Sequence, residues 1–562
     1  CLSVYTLFYL TIWNNFLYQK EELMQQNRHI YINGTIITMD AQNTIAEALV
    51  TQDKQILFVG KQKEALQLIN NTTKITDLQG NTLIPGFIDA HSHFSRAGFE
   101  AISRIPLNAP PVGNIDSIPQ LLQVLKNKAQ ITPPGQWIIG VGYDDTLLKE
   151  QRHPTRQELD QISVEHPIWI THISNHLGVA NSVALSLAEI NDNTPNPEGG
   201  VLRHDTNNQL NGIIEENAMF LIRHHLPDIS FLIPSAIEAA NQIYMQVGVT
   251  TANDGGIGGI LGDRADFSDY LQIDESLQKI RLVLNAHYTR VDDCATIHFL
   301  TNKIILQGAK ILADGSIQGY TGYLTEPYHT AFQGNTTYCG YPWQTRNELC
   351  KIITTLHEKG LQCYVHCNGD AAIDDVLYAF EQAQKHFPRT DCRHVLVHCQ
   401  MARQDQLDRM AALGIIPSFF VPHVYYWGDR HRQIFLGEER AVNLNPCRWA
   451  QEKQLPFTLH CDTPVVPQNP LLAIWAAVNR TTASGKDLGA KQQGISPLDA
   501  LKAYTIHAAH QFFLENTLGS LEVGKLADLV ILNDNPLVCN PSAIKDIQVL
   551  ETIVDGEIVF TK

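Results

Sequence analysis

The chain has no excess of basic charge. Lysine and arginine total 41 against 58 acidic residues, a formal net charge of −17. This argues against a nucleic-acid partner, which selects a basic face. The chain also lacks any Cys-x-x-Cys pair. Its 11 cysteines are odd in number and scattered, several of them inside apolar runs (Cys363, Cys367, Cys399, Cys461). They read as reduced thiols of a cytoplasmic protein rather than a disulfide framework or a structural zinc site. Beyond the N-terminal stretch no run reaches the ~18 apolar residues of a membrane span, and there are no internal repeats or low-complexity segments. What is present is an ordinary globular balance, 44 % hydrophobic and 18 % charged, over 562 residues. That is long enough for a large barrel and an accessory domain.

The first 23 residues stand apart. Leu2 to Tyr18 is fairly apolar but holds Asn14 and Asn15, and no basic residue precedes it. A secretory signal has a basic start and a small-residue cleavage site. Residues 1–23 are therefore expected to be an extension outside the fold, with a truncated signal or anchor as the alternative, and the fold is expected to begin near Met24.

Residues 28–80 contain short β-branched runs separated by polar turns, and the same texture returns in LADLVILNDNP and VLETIVDGEIVFTK, where Asp555-Gly556 is a hairpin signal. The expectation is a small β-sandwich built from both termini, residues 24–82 and 515–562. Between them, strand-like runs alternate with helix-length stretches. Eight are counted: LIPGFIDAH (83–91), GVTTAND (248–254), IRLVLNAHY (280–288), AKILADG (309–315), LQCYVHCNGD (361–370), HVLVHCQ (394–400), IIPSFFVPH (415–423) and PFTLHCDTP (456–464). Eight is the number that closes an α/β (β/α)8 TIM barrel, expected over 83–514, with its active site at the strand C-terminal ends. The gap between the first two runs, about 150 residues against roughly 30 for a βα unit, is read as an inserted subdomain near 97–240. It includes WIIGVGYDD, PIWITHIS and a helix that starts after Thr155 as N-cap.

The chemistry-bearing residues fall at those strand ends. In Asp89-Ala90-His91-Ser92-His93 the two histidines are two apart, so on a strand both point the same way and can reach one cation. His-x-His alone is only moderately specific; the preceding Pro85-Gly86 and the strand context strengthen it. His366 and His398 each end a later apolar strand. Either alone is more simply a hydrogen-bonded core histidine, but two on successive strands beside a His-x-His call for a cation. Asp462 ends the last run, where it either caps the next turn or serves as ligand and proton carrier. Lys310 lies on a barrel strand. It either snorkels to the rim or pairs with Asp314, or its amine is desolvated and neutral.

The chain resembles the amidohydrolase superfamily, and within it the amidohydrolase-3 type branch of N-substituted formamide deformylase-like and exoenzyme-regulatory-protein-like metal-dependent hydrolases. The resemblance runs from about residue 28 to 562. It is carried by LIPGFIDAHSHF, GYDDTLL with PTRQELD, ISNHLGVANSVAL, NPEGGVLR, GVTTANDGG, AKILADGSIQGYTGYLTEPY, HCNGD, LVHCQ, HCDTPV, ISPLDALKAYTIHAA and GSLEVGKLADLVIL. It implies His91 and His93 on one metal, His366 and His398 on a second, and Lys310 carboxylated by CO2 to a bridging carbamate. Asp462 would be both ligand and acid/base. The metals are expected to be divalent, zinc first, one or two per chain. His176, Asp314, His423 and Asp429 sit in family-like segments and are expected along the substrate pocket. A homodimer is the family-level expectation.

The activity implied is hydrolysis of a non-peptide C–N bond in a small molecule, an amide, N-substituted formamide or cyclic amide. Two alternatives stay open: a single-metal deaminase of the same superfamily, which does not need Lys310, and a regulatory homologue without catalysis. Two other segments invite misreading. DGGIGGILG is glycine-rich but fits neither the G-x-G-x-x-G nor the P-loop spacing and reads as a flexible loop. HVYYWGDRHR mixes aromatic and basic residues but is short, and reads as a pocket-lining loop or lid.

Overall fold

The computed structural model describes residues 27–258, 269–270, 273–290 and 300–562. The expected extension at 1–23 lies outside the described residues, as does part of the glycine-rich loop. The centre of the molecule is a mixed α/β arrangement around a nearly closed parallel sheet of eight strands. They are β1 (Phe87–Asp89), β2 (Val249–Ile257), β3 (Arg281–His287), β4 (Ile304–Leu312), β5 (Cys363–Cys367), β6 (Val395–His398), β7 (Ile416–Phe419) and β8 (Thr458–Leu459). They neighbour one another in chain order, with β1 and β8 at the two edges. Those edges meet just past the strand ends: the Asp462 N–H donates to the His91 carbonyl (3.3 Å) and the His93 N–H to the Thr463 carbonyl (2.9 Å).

These segments form strands because they are buried on both faces. All nine residues of β2 and all seven of β3 are buried, as expected of parallel strands covered by helices. The helices carry their own start and stop signals. Arg346–Glu358 begins with a capping box between Thr345 and Glu348, and Gln404–Leu413 stops at Gly414, which is left-handed at φ 63°. Asp370–His386 buries Ile373, Val376, Leu377 and Phe380 on one stripe.

The first strand-like run splits at Pro85-Gly86. Thr82–Pro85 pairs with Leu529–Leu532 of the C-terminal segment, and only Phe87–Asp89 enters the barrel. Gly86 marks the crossing, because a Cβ there would collide with the Thr250 side chain of β2. The fourth strand starts earlier than its sequence signal, at Ile304, because a ladder irregularity near Gly308 (φ 74°) interrupts the pattern.

Both termini contribute to two further sheets. One has four strands in the order Gln55–Gly60, Ala48–Gln52, Arg28–Ile32, Lys74–Asp77. The other has six, in the order Glu557–Thr561, Val549–Val554, Leu529–Leu532, Thr82–Pro85, Thr35–Ile37, Ile45–Ala46. Tyr31, Leu49 and Ile56 of the first share a buried cluster with Ile36, Leu83, Leu529 and Ile553 of the second. Asp555 and Gly556, at φ 54° and 76°, make the tight turn between Val549–Val554 and Glu557–Thr561, the left-handed pair a two-residue hairpin needs.

Between β1 and β2 the chain forms a six-stranded sheet, in the order Gly200–His204, Leu210–Glu216, Leu177–Ala180, Ile168–His172, Ile138–Tyr143, Ile105–Pro106. Thr155 caps Arg156–Asp160 with a full capping box. Helices Phe94–Ser103 and Ile233–Met245 bracket this sheet and pack on each other, with Gly98 against the Ala236 carbonyl, where no Cβ fits.

At the opposite end of β3 from the site, Arg281 is buried between two carboxylates of the C-terminal segment. It bonds Asp528 at 3.0 and 3.2 Å, and Asp555. Removing one partner of a buried ionic group strands the others without compensation. Arg281→Ala is therefore expected to destabilise the protein by about 3–5 kcal/mol, read as a lower urea midpoint. An unchanged midpoint would show that this triad does not tie barrel and C-terminal strands together.

Candidate metal centre and cleft

Parallel register sets the first layer of the site. Leu312 of β4 pairs with His366 of β5, and Cys367 of β5 with His398 of β6. The ends of β4, β5 and β6 thus stand side by side, while the segments after β1 and β8 are bonded to each other. A cleft opens over this rim and is lined by residues that include His91, His93, Lys310, His366, His398 and Asp462. Those six side chains come from five segments of chain, and all are buried.

Hydrogen bonds fix which nitrogen of each β1 histidine carries the proton. His91 Nδ1 lies 3.1 Å from Asn253 Oδ1. The Asn253 amide nitrogen donates to the Val283 carbonyl (2.8 Å) and to Asn285 Oδ1 (2.7 Å), so its oxygen must accept. His91 therefore carries its hydrogen on Nδ1. His93 Nδ1 faces the Gly255 carbonyl at 3.0 Å, with the same consequence. Both Nε2 lone pairs then face Asp462 Oδ1, at 3.4 Å for His91 and 3.3 Å for His93. Lys310 Nζ donates to His91 Nε2 at 3.0 Å. His398 Nε2 stands 4.0 Å from Asp462 Oδ2, and the His398 and His366 rings are 4.5 Å apart.

Burial, then Lys310, pushes the His91 pKa well below the usual imidazole range; burial, then a neighbouring histidine, does the same to His366 and His398. Neutral imidazole nitrogens beside a carboxylate are ligand atoms of the kind that hold a divalent cation. The ligand atoms of His91, His398 and Asp462 lie within 4.8 Å of one another. The Nδ1 atoms of His366 and His398 are buried without a hydrogen-bond partner. The residues therefore fit the divalent metals that the chain's resemblance implies. Backbone strain is present at the same rim: His398, Cys399 and Asp462 have φ of 71°, 49° and 54°, left-handed values that are uncommon for non-glycine residues.

The amidohydrolase family model matches residues 74–560. The chain belongs to the amidohydrolase family. Among similar members, the N-substituted formamide deformylase of Arthrobacter pascens is 28 % identical over 552 residues, covering 96 % of this chain and 99 % of that one. The putative amidohydrolase YtcJ of Bacillus subtilis is 28 % identical over 550 residues, covering 95 % and 99 %. A crystal structure of an uncharacterized metal-dependent hydrolase from Pyrococcus horikoshii superposes with a TM-score of 0.72 at 25 % identity, covering 92 % of this chain and 99 % of that one.

In this amidohydrolase His176 also lines the cleft, its ring 5.0 Å from that of His366. Asp314, His423 and Asp429 are not among the residues that line this cleft. Asp314 is fully buried and accepts the backbone N–H groups of Tyr323 (3.0 Å), Asn368 (2.9 Å) and Gly369 (2.8 Å). It shapes the loop after β5, and burial pushes its carboxyl up to about 7 against those three donors. His423 is buried against Phe420 and Trp427, its Nδ1 3.0 Å from His431 Nε2. Asp429 faces Lys486 at 3.8 Å.

Sequence reading missed His460, Asn253 and Glu216. His460 is fully buried, 5.2 Å from the His91 ring and 5.1 Å from the His398 ring, and neither of its nitrogens makes a hydrogen bond of normal geometry. The signal was available: His460 stands two residues before Asp462, the spacing that identified His91 and His93.

Asn253 holds the tautomer of His91, and partners of this kind typically contribute 10–100-fold to metal affinity. Asn253→Leu is expected to weaken divalent-metal binding by about 10–100-fold, measured by competition with a chromophoric chelator. Affinity equal to the parent protein's would refute the tautomer lock.

Proposed function

We propose that this amidohydrolase is a metal-dependent enzyme that hydrolyses a non-peptide C–N bond of a small molecule: a carboxamide, N-substituted formamide or cyclic amide. The observation that carries the reading is the pair of Nε2 lone pairs, on His91 and His93, both aimed at one oxygen of Asp462 inside a cleft that also holds Lys310, His366 and His398. The similarity to a deformylase over nearly the whole length of both chains supports the substrate class.

His91, His93 and Asp462 would hold one divalent ion, with zinc the first candidate, and His366 and His398 a second. Lys310, as a carbamate, would join the two. Carboxylation of the Lys310 ammonium by CO2 would form an N–C bond and release two protons, one from the ammonium and one as the carbamate forms, and would replace a buried cation with an anionic oxygen donor. Bound metal would supply Lewis acidity, lowering the pKa of water and polarising the substrate carbonyl. Asp462 takes a proton from the water as its oxygen attacks the carbonyl carbon, and delivers it to the nitrogen as the C–N bond breaks. His176 borders the space left for the substrate. Around this centre we read the chain as a barrel domain (83–514) with an insertion near 97–240 and a composite β-sandwich from 24–82 and 515–562. Among the described residues no helix is long and apolar enough to cross a membrane. A cytoplasmic enzyme, forming a homodimer, is part of the proposal.

One observation favours a second reading. His91, His398 and Asp462 alone are close enough to hold a single ion, the arrangement of a one-metal deaminase. Metal quantification and a panel of N-acyl, N-formyl and cyclic amides separate the two. The hydrolase reading expects bound divalent metal, loss of activity with a chelator, and a fall in kcat of about 10²–10⁴-fold in Asp462→Asn. One ion per chain with Lys310→Ala fully active would select the deaminase. Stoichiometric metal with no turnover of any amide would point to a regulatory homologue, and a metal-free protein indifferent to chelators would remove the reading altogether.

A further inference from the structure

The inserted sheet delivers a second acid–base pair to the cleft. His176 directly precedes the strand Leu177–Ala180 and Glu216 ends the strand Leu210–Glu216. These strands are antiparallel neighbours, with Leu177 opposite Glu215, and the Glu216 N–H donates to the His176 carbonyl at 2.8 Å. The two side chains meet as well: His176 Nδ1 lies 2.8 Å from Glu216 Oε2. The same oxygen accepts the indole N–H of Trp343 at 2.7 Å. The Glu216 side chain is 1 % exposed, and its backbone is held at φ 48° and ψ −125°, a conformation that non-glycine residues rarely adopt. Gly315 packs so closely on its other oxygen that no Cβ fits there.

A carboxylate this deeply buried is unfavourable unless its donors are fixed in place. Here the donors are one indole and one imidazole, and Trp343, Glu216 and His176 all border the cleft. The Nδ1 hydrogen is committed to Glu216. The buried Glu216 carboxylate, 2.8 Å from the ring, is balanced by the imidazolium form of His176. In that form Nε2 carries a second hydrogen, and it is the ring nitrogen left for a substrate, on the far side of the ring from the carboxylate. The same logic orients the histidine of a carboxylate–histidine pair in many hydrolytic sites.

Building on the hydrolase reading above, we infer that His176 is a catalytic residue whose Nε2–H binds the substrate's carbonyl oxygen, and that Glu216 positions it. When the oxygen of water adds to the carbonyl carbon, the π electron pair moves onto the carbonyl oxygen, and His176 stabilises that negative charge by a hydrogen bond. When the pair returns to reform C=O, the C–N bond breaks and the leaving nitrogen receives the proton carried by Asp462. Asp462 thus handles the proton, and His176, on the insertion side of the cleft, handles the oxygen.

The product acid offers a direct probe, since formate and acetate present the same anionic oxygen. Zinc-loaded protein is titrated with each anion by calorimetry, for the parent chain and for His176→Asn, Glu216→Gln and Trp343→Phe, with zinc content and Tm measured on every sample. The expected result is measurable binding to the parent and at least about tenfold weaker binding to His176→Asn and Glu216→Gln. A smaller loss is expected for Trp343→Phe, and zinc content should be unchanged. On any amide the parent hydrolyses, His176→Asn is expected to lower kcat by about 10²–10³-fold with little change in KM. The inference is overturned if the parent binds neither anion, or if His176→Asn and Glu216→Gln bind as the parent does. A parent that binds the anions but hydrolyses nothing on the amide panel would instead refute the hydrolase reading while leaving the oxygen-binding pair in place.

Discussion

The barrel mouth depends on the position of two protons. His91 and His93 each commit Nδ1–H to an oxygen behind them, Asn253 Oδ1 and the Gly255 carbonyl. Their other nitrogens must then face the cleft as lone pairs, next to the Asp462 carboxylate. Two lone pairs and an anion about 3.3–3.4 Å apart repel one another in a low-dielectric interior unless a positive charge sits among them. The arrangement is set from below. Asn253 can only accept from His91 because its amide nitrogen is held by the Val283 carbonyl and Asn285 Oδ1 on the neighbouring strand. The order of causes runs from strand pairing to amide orientation, then to imidazole tautomer, and finally to a preference for a cation.

The geometry that keeps this centre open is carried by a few strained or cramped positions. His398 and Asp462 leave their strands in left-handed conformations, which turns each side chain over the rim instead of along the strand. Gly255 has no Cβ because one would lie 2.8 Å from His91 Cε1, so the β2 end can approach the ring closely enough for its carbonyl neighbourhood to orient His93. On the other side the inserted sheet places His176 against His366. Barrel and insertion are therefore not a catalytic part and a decoration: each supplies one wall of the same cavity.

Much of this was legible in the chain. The i, i+2 spacing of His91 and His93, single histidines ending two successive apolar runs, and a lysine within a strand are local signals, and the eight-run count follows from alternation of strand and helix lengths. What was not legible depends on tertiary contact. Thr82–Pro85 and Phe87–Asp89 read as one apolar run, and they join different sheets because their partners, Leu529–Leu532 and β2, lie far away in sequence. Glu216 sits in an unremarkable acidic pair 40 residues from His176, and nothing local says that one carboxylate is bonded to Arg203 while its neighbour turns to an imidazole. Asp314, His423 and Asp429 lie in segments that resemble pocket loops, yet backbone amides, an aromatic cluster and a surface lysine take their side chains elsewhere.

Buried histidine by itself does not identify such a centre, as a second cluster shows. His357, Cys392 and His394 also bring ligand-type atoms within 4.8 Å of one another. There the hydrogen bonds form a complete chain. The Cys363 N–H donates to His394 Nδ1 (3.0 Å), so His394 must carry its hydrogen on Nε2 and donate to His357 Nδ1 (2.9 Å). His357 in turn donates from Nε2 to the Phe387 carbonyl (2.7 Å). Every nitrogen is satisfied with both rings neutral, and no lone pair is left for a cation. At the barrel rim the same accounting leaves buried Nδ1 atoms of His366 and His398 without a hydrogen bond. The difference between these two groups of buried histidines is thus the count of donors and acceptors around each ring.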